Sequence, residues 1–291
     1  MMIREFKERD LEFVEERNFI LALQIQYCGD FDRARSFTVI DDAENILGVG
    51  TISYHESFKD KRRKNKHKLL FDYCTIEENE DILRLLLGQA KRRVQQLEEV
   101  TSKKICLMSF IEADDINEIQ KFLKEQFYIG RCIPILKYKL KNKRVHYELP
   151  EDIQIDELDK TNIEKVEEYI AATGQANEGV ADSINQFMFR ANDENFKTYY
   201  ATDGKKIIGG VSIWHIGEER GATENIFTIP EYRRKHIASE LINIAFDKLQ
   251  KDGKKIATLT VIGDNKSAMQ LYQKIGYELM GYFIEVHWDA N

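Results

Sequence analysis

The sequence predicts a mixed α/β chain made of two similar units, each a mixed β-sheet flanked by helices. Three observations carry that expectation. Short β-branched and aromatic runs alternate with helical stripes that recur every three to four residues. The second half of the chain repeats the landmarks of the first in the same order. A length of 291 residues suits two domains, each long enough to bury its own core.

Only three prolines occur, at positions 134, 150 and 230. Pro150 follows the polar stretch Lys141–Tyr147 and precedes the alternation Ile153-Gln154-Ile155. The expected boundary lies there, giving domains 1–145 and 146–291. In the second, Ile153–Leu158 is a short strand, and Asn162–Ala172 and Ala181–Arg190 are helices. Lys197–Thr202 is a strand, Asp203-Gly204 a hairpin turn, and Ile207–His215 the return strand. Ala222–Ile229 is a strand stopped by Pro230. Ile237–Gln250 is a helix because Ile237, Leu241, Ala245 and Leu249 recur every four residues. Lys255–Ile262 is a buried strand, Asn265–Ile275 a helix, and Tyr277–Trp288 a final strand pair. In the first half, Asp41–Asn45 answers the hairpin turn, and Cys74-Thr75-Ile76 answers Phe227-Thr228-Ile229. Ile82–Leu97 is the long helix, Lys103-Lys104-Ile105 matches Lys254-Lys255-Ile256, and Phe122–Phe127 echoes Leu271–Tyr277.

Composition narrows the class. The net charge of −7 is uneven: the first 145 residues carry +2 and the remainder −9. An acidic second half argues against nucleic acid as its main partner. The apolar runs are far shorter than a bilayer span, and the charged N-terminus is no secretory signal, so a cytoplasmic protein is expected. Cys28, Cys74, Cys106 and Cys132 show no metal-ligand spacing, so no metal is expected. Residues 146–291 hold no cysteine, which excludes a cysteinyl acyl intermediate there.

The sharpest chemical signal is Pro230-Glu231-Tyr232-Arg233-Arg234-Lys235-His236-Ile237-Ala238. An apolar strand feeds a proline-stopped basic loop and then a helix N-terminus. Free backbone N–H groups and the helix dipole favour an anion there, and a pyrophosphate fits that chemistry. A solvated basic bend is the competing reading of this fragment. A second segment runs Asn265-Lys266-Ser267-Ala268-Met269-Gln270-Leu271-Tyr272-Gln273-Lys274-Ile275-Gly276-Tyr277. Asn265 and Tyr272 stand two helical turns apart, and Gly276 suits a helix C-terminus.

Together these segments resemble the GCN5-related N-acetyltransferase (GNAT) family, over roughly residues 150–291. The family's Arg/Gln-x-x-Gly-x-Gly/Ala aligns with Arg233 to Ala238, so His236 replaces the family's glycine. The departure bears on affinity more than on fold, because a histidine still donates its backbone N–H if its φ is ordinary, as expected at a helix start. The resemblance implies an acetyl-CoA-dependent N-acetyltransferase that acts by direct attack of an amine in a ternary complex. It implies cofactor contacts from Phe227, Thr228 and Ile229, from Arg233, Arg234, Lys235, His236, Ile237, Ala238 and Ser239, and from Asn265. It implies that Tyr272 protonates the departing thiolate. Glu224 is the candidate general base, because burial on an apolar strand would raise its pKa. A solvent-facing strand carboxylate is the alternative. Trp214, His215, Tyr199 and Tyr200 are candidates to line the acceptor cleft, with core packing the competing reading. In this family Gly174–Val180 is where the acceptor is read.

In the first half, the loop Glu77-Glu78-Asn79-Glu80-Asp81 sets four carboxylates where a pyrophosphate would sit. The tyrosine position aligns with Leu123. The expectation is a GNAT-like domain that has lost CoA binding, as in tandem GNAT proteins with one degenerate half. Lys59–Lys68 carries seven Lys and Arg residues in ten and reads as a solvated connection. The resemblance implies an amine acceptor, small molecule or peptide, with no membrane partner expected and the oligomeric state, monomer or homodimer, left open. The rival function is a non-catalytic acyl-CoA-binding sensor. A weaker one is a nucleic-acid-associated protein using the basic stretch.

Overall fold

A computed structural model describes residues 1–27, 35–54, 66–101, 104–177, 181–261 and 265–290. Cys28, residues 59–65 of the basic stretch, residues 178–180 and Ile262 lie outside the described residues. The chain forms two compact units, Met1–Arg131 with Ile284–Asn291, and Cys132–Phe283. The boundary expected at 145/146 therefore falls inside the second unit. Two strands account for the difference, β6 (Tyr128–Lys139) and β12 (Glu278–Asp289). Each changes unit part-way along, at Cys132 and at Ile284. β12 also replaces the expected strand pair at 277–288. Gly281 does not adopt a positive φ, so the chain runs straight through it.

The first unit opens with β1 (Met2–Glu5), α1 (Leu11–Glu15) and α2 (Phe19–Tyr27). It continues with β2 (Ser36–Ile40), β3 (Ile46–Tyr54), β4 (Lys66–Thr75), α3 (Glu80–Thr101), β5 (Lys104–Glu112) and α4 (Ile116–Lys124). The strand order is β1-β2-β3-β4-β5-β12, antiparallel through β4 and parallel between β4 and β5. Ile82, Leu86, Ala90 and Val94 form the buried stripe of α3 and meet Phe37, Val39, Ile52 and Phe71 of the sheet. The C-terminal residues Ile284, Val286 and Trp288 complete this core. Each such side chain contributes about 1.5–3 kcal/mol through burial.

The second unit comprises β7 (Gln154–Glu157), α5 (Ile163–Ala176), α6 (Ile184–Ala191), β8 (Lys197–Thr202), β9 (Ile207–Ile216) and β10 (Arg220–Thr228). α7 (Ile237–Lys251), β11 (Ile256–Thr260) and α8 (Lys266–Ile275) complete it. Its strand order is β6-β11-β10-β9-β8-β7. β10 runs parallel to β11, and the other pairs are antiparallel. The α7 stripe Ile237, Leu241, Ala245 and Leu249 is fully buried, as its period requires. β10 carries an irregularity between Glu224 and Phe227, and Asn225 there takes a φ of 48°. An extra residue in one strand of a pair produces such a bulge.

The two units repeat each other in register. Ile76 N–H donates to Leu47 O, and Ile229 N–H to Ile208 O, both at 2.9 Å. Counting back from there, Asp72 opposite Thr51 stands where Glu224 stands opposite Ser212. Ser36 and Thr51 share a hydrogen bond of 2.8 Å, and Thr198 and Ser212 share one of 3.0 Å. The helices before the last strands match as well. Asp115 and Asn265 cap α4 and α8, and Gln126 and Gly276 take positive φ after them. Phe127 N–H donates to Phe122 O at 3.1 Å, and Tyr277 N–H to Tyr272 O at 2.9 Å. Phe122 is thus the counterpart of Tyr272, in place of the Leu123 expected from sequence. Leu123 is exposed. From cap to aromatic the two segments are equal in length, 115–127 and 265–277, and the caps fix their alignment.

Candidate active site

The β10 and β11 strands are paired only at Arg220–Ile256, Gly221–Ala257 and Ala222–Thr258. Beyond that point they part, and β10 continues for six residues without β11 beside it. The fork is pinned at its base. Thr223 Oγ1 donates to Thr258 O at 3.3 Å and lies 3.0 Å from the Tyr277 hydroxyl. Tyr272 packs edge-on against the Tyr277 ring, with centroids 5.6 Å apart. This sets the Tyr272 ring beside the base of the fork. Burial pushes its phenol up to about 12. Its hydroxyl has no hydrogen-bond partner among the described residues.

Asn265 is the N-cap of α8. Its Oδ1 accepts from Ala268 N–H at 3.1 Å and from Ser267 Oγ at 2.9 Å. Gly276 closes the helix at φ 104°, the left-handed conformation expected of it. These caps place Tyr272 on the inner face of α8, which its sequence period alone does not do.

At the open end of the fork, Ile229 is fully buried and Phe227 nearly so. The Thr228 hydroxyl is buried with no hydrogen-bond partner among the described residues. The chain then makes a single 3-10 turn at Pro230–Tyr232 and enters α7 through Arg233–His236. Arg234 has φ 64° and His236 φ 61°. The ordinary φ expected at His236 is therefore wrong: this histidine takes the left-handed conformation that its glycine counterpart would take freely. Such a conformation costs a side-chain-bearing residue about 1–2 kcal/mol.

Among the described residues, no acceptor within the chain is found for the backbone N–H groups of Arg234, Lys235, His236, Ile237, Ala238 and Ser239. Six successive free donors at a helix N-terminus make an anion cradle. The orphaned Thr228 hydroxyl adds a polar group next to it. These residues fit a phosphate-bearing group with amides in its tail. The side chains are disposed differently from the expectation. Arg233 Nε donates to Thr228 O at 3.2 Å and its Nη2 to Ala176 O at 3.0 Å, so its guanidinium ties the strand end to α5. Lys235 Nζ lies 4.8 Å from the Tyr232 ring centroid.

Glu224 occupies the other face of the sheet, toward α5 and α6. Trp214 Nε1 donates to its Oε1 at 3.0 Å. Burial raises its pKa, and the Arg190 charge and the Trp214 hydrogen bond pull it part of the way back. Arg190 is itself ion-paired with Asp182, which also accepts from Asn225 Nδ2 at 3.2 Å. Glu224 is thus held among polar groups from α6, β9 and β10. A simple solvent-facing carboxylate would have no such partners. Of the residues expected to line the acceptor cleft, Trp214 meets Glu224. His215 instead bonds Asp252 at 3.2 Å, and Tyr199 is buried in the core. Arg190 and Asp182 had no sequence signal, because their role depends on the α6 contact with β10.

The family described as acetyltransferase (GNAT) matches residues 163–277, from the start of α5 to the strand after α8. Those residues, about two fifths of the chain, are what resembles the GNAT family. An uncharacterised N-acetyltransferase of Methanocaldococcus jannaschii is 36% identical over 63 residues, a stretch covering 21% of this chain and 28% of that relative. Among solved structures, a GCN5-related N-acetyltransferase from Sphaerobacter thermophilus is similar over 99% of this chain and 95% of its own. The TM-score is 0.65 at 13% identity. A tandem GNAT protein from the clavulanic acid biosynthesis pathway is similar over 93% of this chain and 87% of its own, with a TM-score of 0.67 at 11% identity. At such identities the likeness is one of fold. The fork, the cradle and Tyr272 all lie within the second unit, most of which the GNAT match covers. The first unit carries the GNAT-like sheet as well, with β4 and β5 parting after Leu70–Met108.

Proposed function

We propose that the second unit is an acetyl-CoA-dependent N-acetyltransferase and that the first unit has lost the cofactor site. The row of six free N–H groups from Arg234 to Ser239 carries this reading. It would receive a pyrophosphate at the mouth of the β10–β11 fork. Bound acetyl-CoA would supply an acyl group activated as a thioester. The free backbone groups of β10 beyond Ala222 would hold the pantetheine arm. Glu224 would take the proton from the attacking amine, and Tyr272 would give one to the departing sulfur. A raised carboxyl pKa suits the base, and a buried phenol stays protonated until it is needed.

The first unit supports its own exclusion. Phe122 has no hydroxyl to offer. Tyr73 on β4 bonds Glu118 on α4, which stands three residues after its cap as Ala268 does in α8. Lys121 and Lys124 neutralise Glu78 and Glu80 of the acidic loop, so no cationic surplus remains for a phosphate.

A sensor without activity is the competing reading, and the presence of both a candidate base, Glu224, and a candidate acid, Tyr272, counts against it. The test is release of free thiol from acetyl-CoA across a panel of amines, alongside thermal shift with acetyl-CoA. Stabilisation with amine-dependent thiol release is the expected result. Stabilisation without release from any amine would leave the sensor. No stabilisation would remove the cofactor reading.

A further inference from the structure

A left-handed histidine must be held there by its surroundings. His236 gains no side-chain capping bond from its position before α7. Its ring instead lies flat on Tyr147, with centroids 4.0 Å apart and planes within 3°. Tyr147 is itself tied down. Its N–H donates to Glu240 Oε1 at 2.7 Å. Asn243 Nδ2 bridges that carboxylate at 2.9 Å and Val145 O at 3.0 Å. Arg144 donates to Asn243 O at 3.2 Å and pairs with Asp247 at 2.7 Å. The segment Arg144–Tyr147 is thus strapped along the first turns of α7. It ends on a residue with strained backbone that lies within the free N–H row. Packing does not explain the stack, since His236 is exposed and Tyr147 only half-buried.

We propose that the Tyr147–His236 stack does the work of the missing glycine. The strap clamps His236 in the left-handed conformation and keeps the N–H groups of Arg234–Ser239 converged on an anionic ligand. Tyr147 is then a positioning residue of the phosphate loop. The inference rests on the reading of this loop as the CoA pyrophosphate site.

The test is a double-mutant cycle on the full chain, with CoA affinity measured by calorimetry. Tyr147→Ala should weaken CoA about three- to tenfold, the magnitude of one aromatic stack. Tyr147→Phe should bind as the parent does, because the ring alone makes the stack. His236→Gly should bind equally or more tightly. In the His236→Gly background, Tyr147→Ala should change nothing, because glycine takes φ near 60° without a clamp. An equal loss in both backgrounds would overturn the proposal, since Tyr147 would then act by another route. Tighter binding by Tyr147→Ala would also overturn it, because the stack would be an obstruction. The clamp has a ligand-free readout as well. The Glu240 amide, which donates to His236 O at 3.1 Å, should exchange several-fold faster in Tyr147→Ala. That difference should vanish with glycine at 236. If the parent chain binds no CoA, the cofactor reading fails, and the exchange comparison alone decides the clamp.

Discussion

A phenol raised to about 12 stays protonated across the range in which a protein of this kind is assayed. Tyr272→Phe removes the hydroxyl and keeps the packing against Tyr277. Turnover should fall by on the order of 10²-fold with CoA affinity nearly unchanged, as steady-state rates and calorimetry would register. As the proposed base, Glu224 would have to be ionised to accept a proton, and its pKa is raised. The acid limb of the rate profile should therefore lie above the usual glutamate range near 4.3 and disappear in Glu224→Gln. An unmoved limb would assign it to another group. Asp72 is the first unit's counterpart of Glu224. Burial lifts it to about 6, against a hydrogen bond from Gln24 that lowers it. A carboxyl that binds its proton more tightly when folded favours the fold at low pH. That advantage is lost as pH rises from about 3.8 through about 6. Asp72→Asn should thus gain up to about 3 kcal/mol at pH 7 and well under 1 kcal/mol at pH 4, in denaturant titrations at the two values. Tyr272 was legible from its motif. The left-handed His236 was not, because a φ angle answers to the ring stacked upon it and not to its sequence neighbours.

Among the elements, the helices followed their stripes closely and the strands less so. α7 begins at Ile237 as its period demands, and β8 spans the predicted Lys197–Thr202. β12 has no such simple signal. Its inner half buries Glu285, which Lys68 reaches at 2.7 Å and Arg131 also pairs. Burial would raise that carboxyl, but hydrogen bonds from His287 and Lys68 and the charges of Lys68 and Arg131 outweigh it and hold it at about 2. A depressed pKa contributes stability above the ordinary value near 4.5 and loses it as pH falls toward 2. Glu285→Gln should destabilise the first unit by about 3–5 kcal/mol, because the buried carboxylate that Lys68 and Arg131 both reach would lose its charge. Chemical denaturation at pH 7 measures the loss, and an effect under about 1 kcal/mol would mean the cluster relaxes freely. A run such as IEVHWD alternates like any strand, so nothing in it announces that Glu285 will find cations far away in sequence.

For the molecule as a whole, the cut suggested by sequence and the cut made by packing give different fragments. Residues 146–291 lack β6, whose Leu136 and Tyr138 belong to the core of the second unit. Residues 1–145 lack Ile284, Val286 and Trp288 of the first. The fragment 132–283 should show a cooperative thermal transition, and 146–291 should lose it or melt well below. Equal stability of the two would show that β6 is dispensable. The sequence by itself determined the mixed α/β class, the repeat and the two GNAT segments, because period, turn residues and helix caps act locally. Tertiary structure decided which strand completes which sheet, that Phe122 matches Tyr272, and that Tyr147 reaches His236. Those depend on pairings between distant residues, which no local preference encodes.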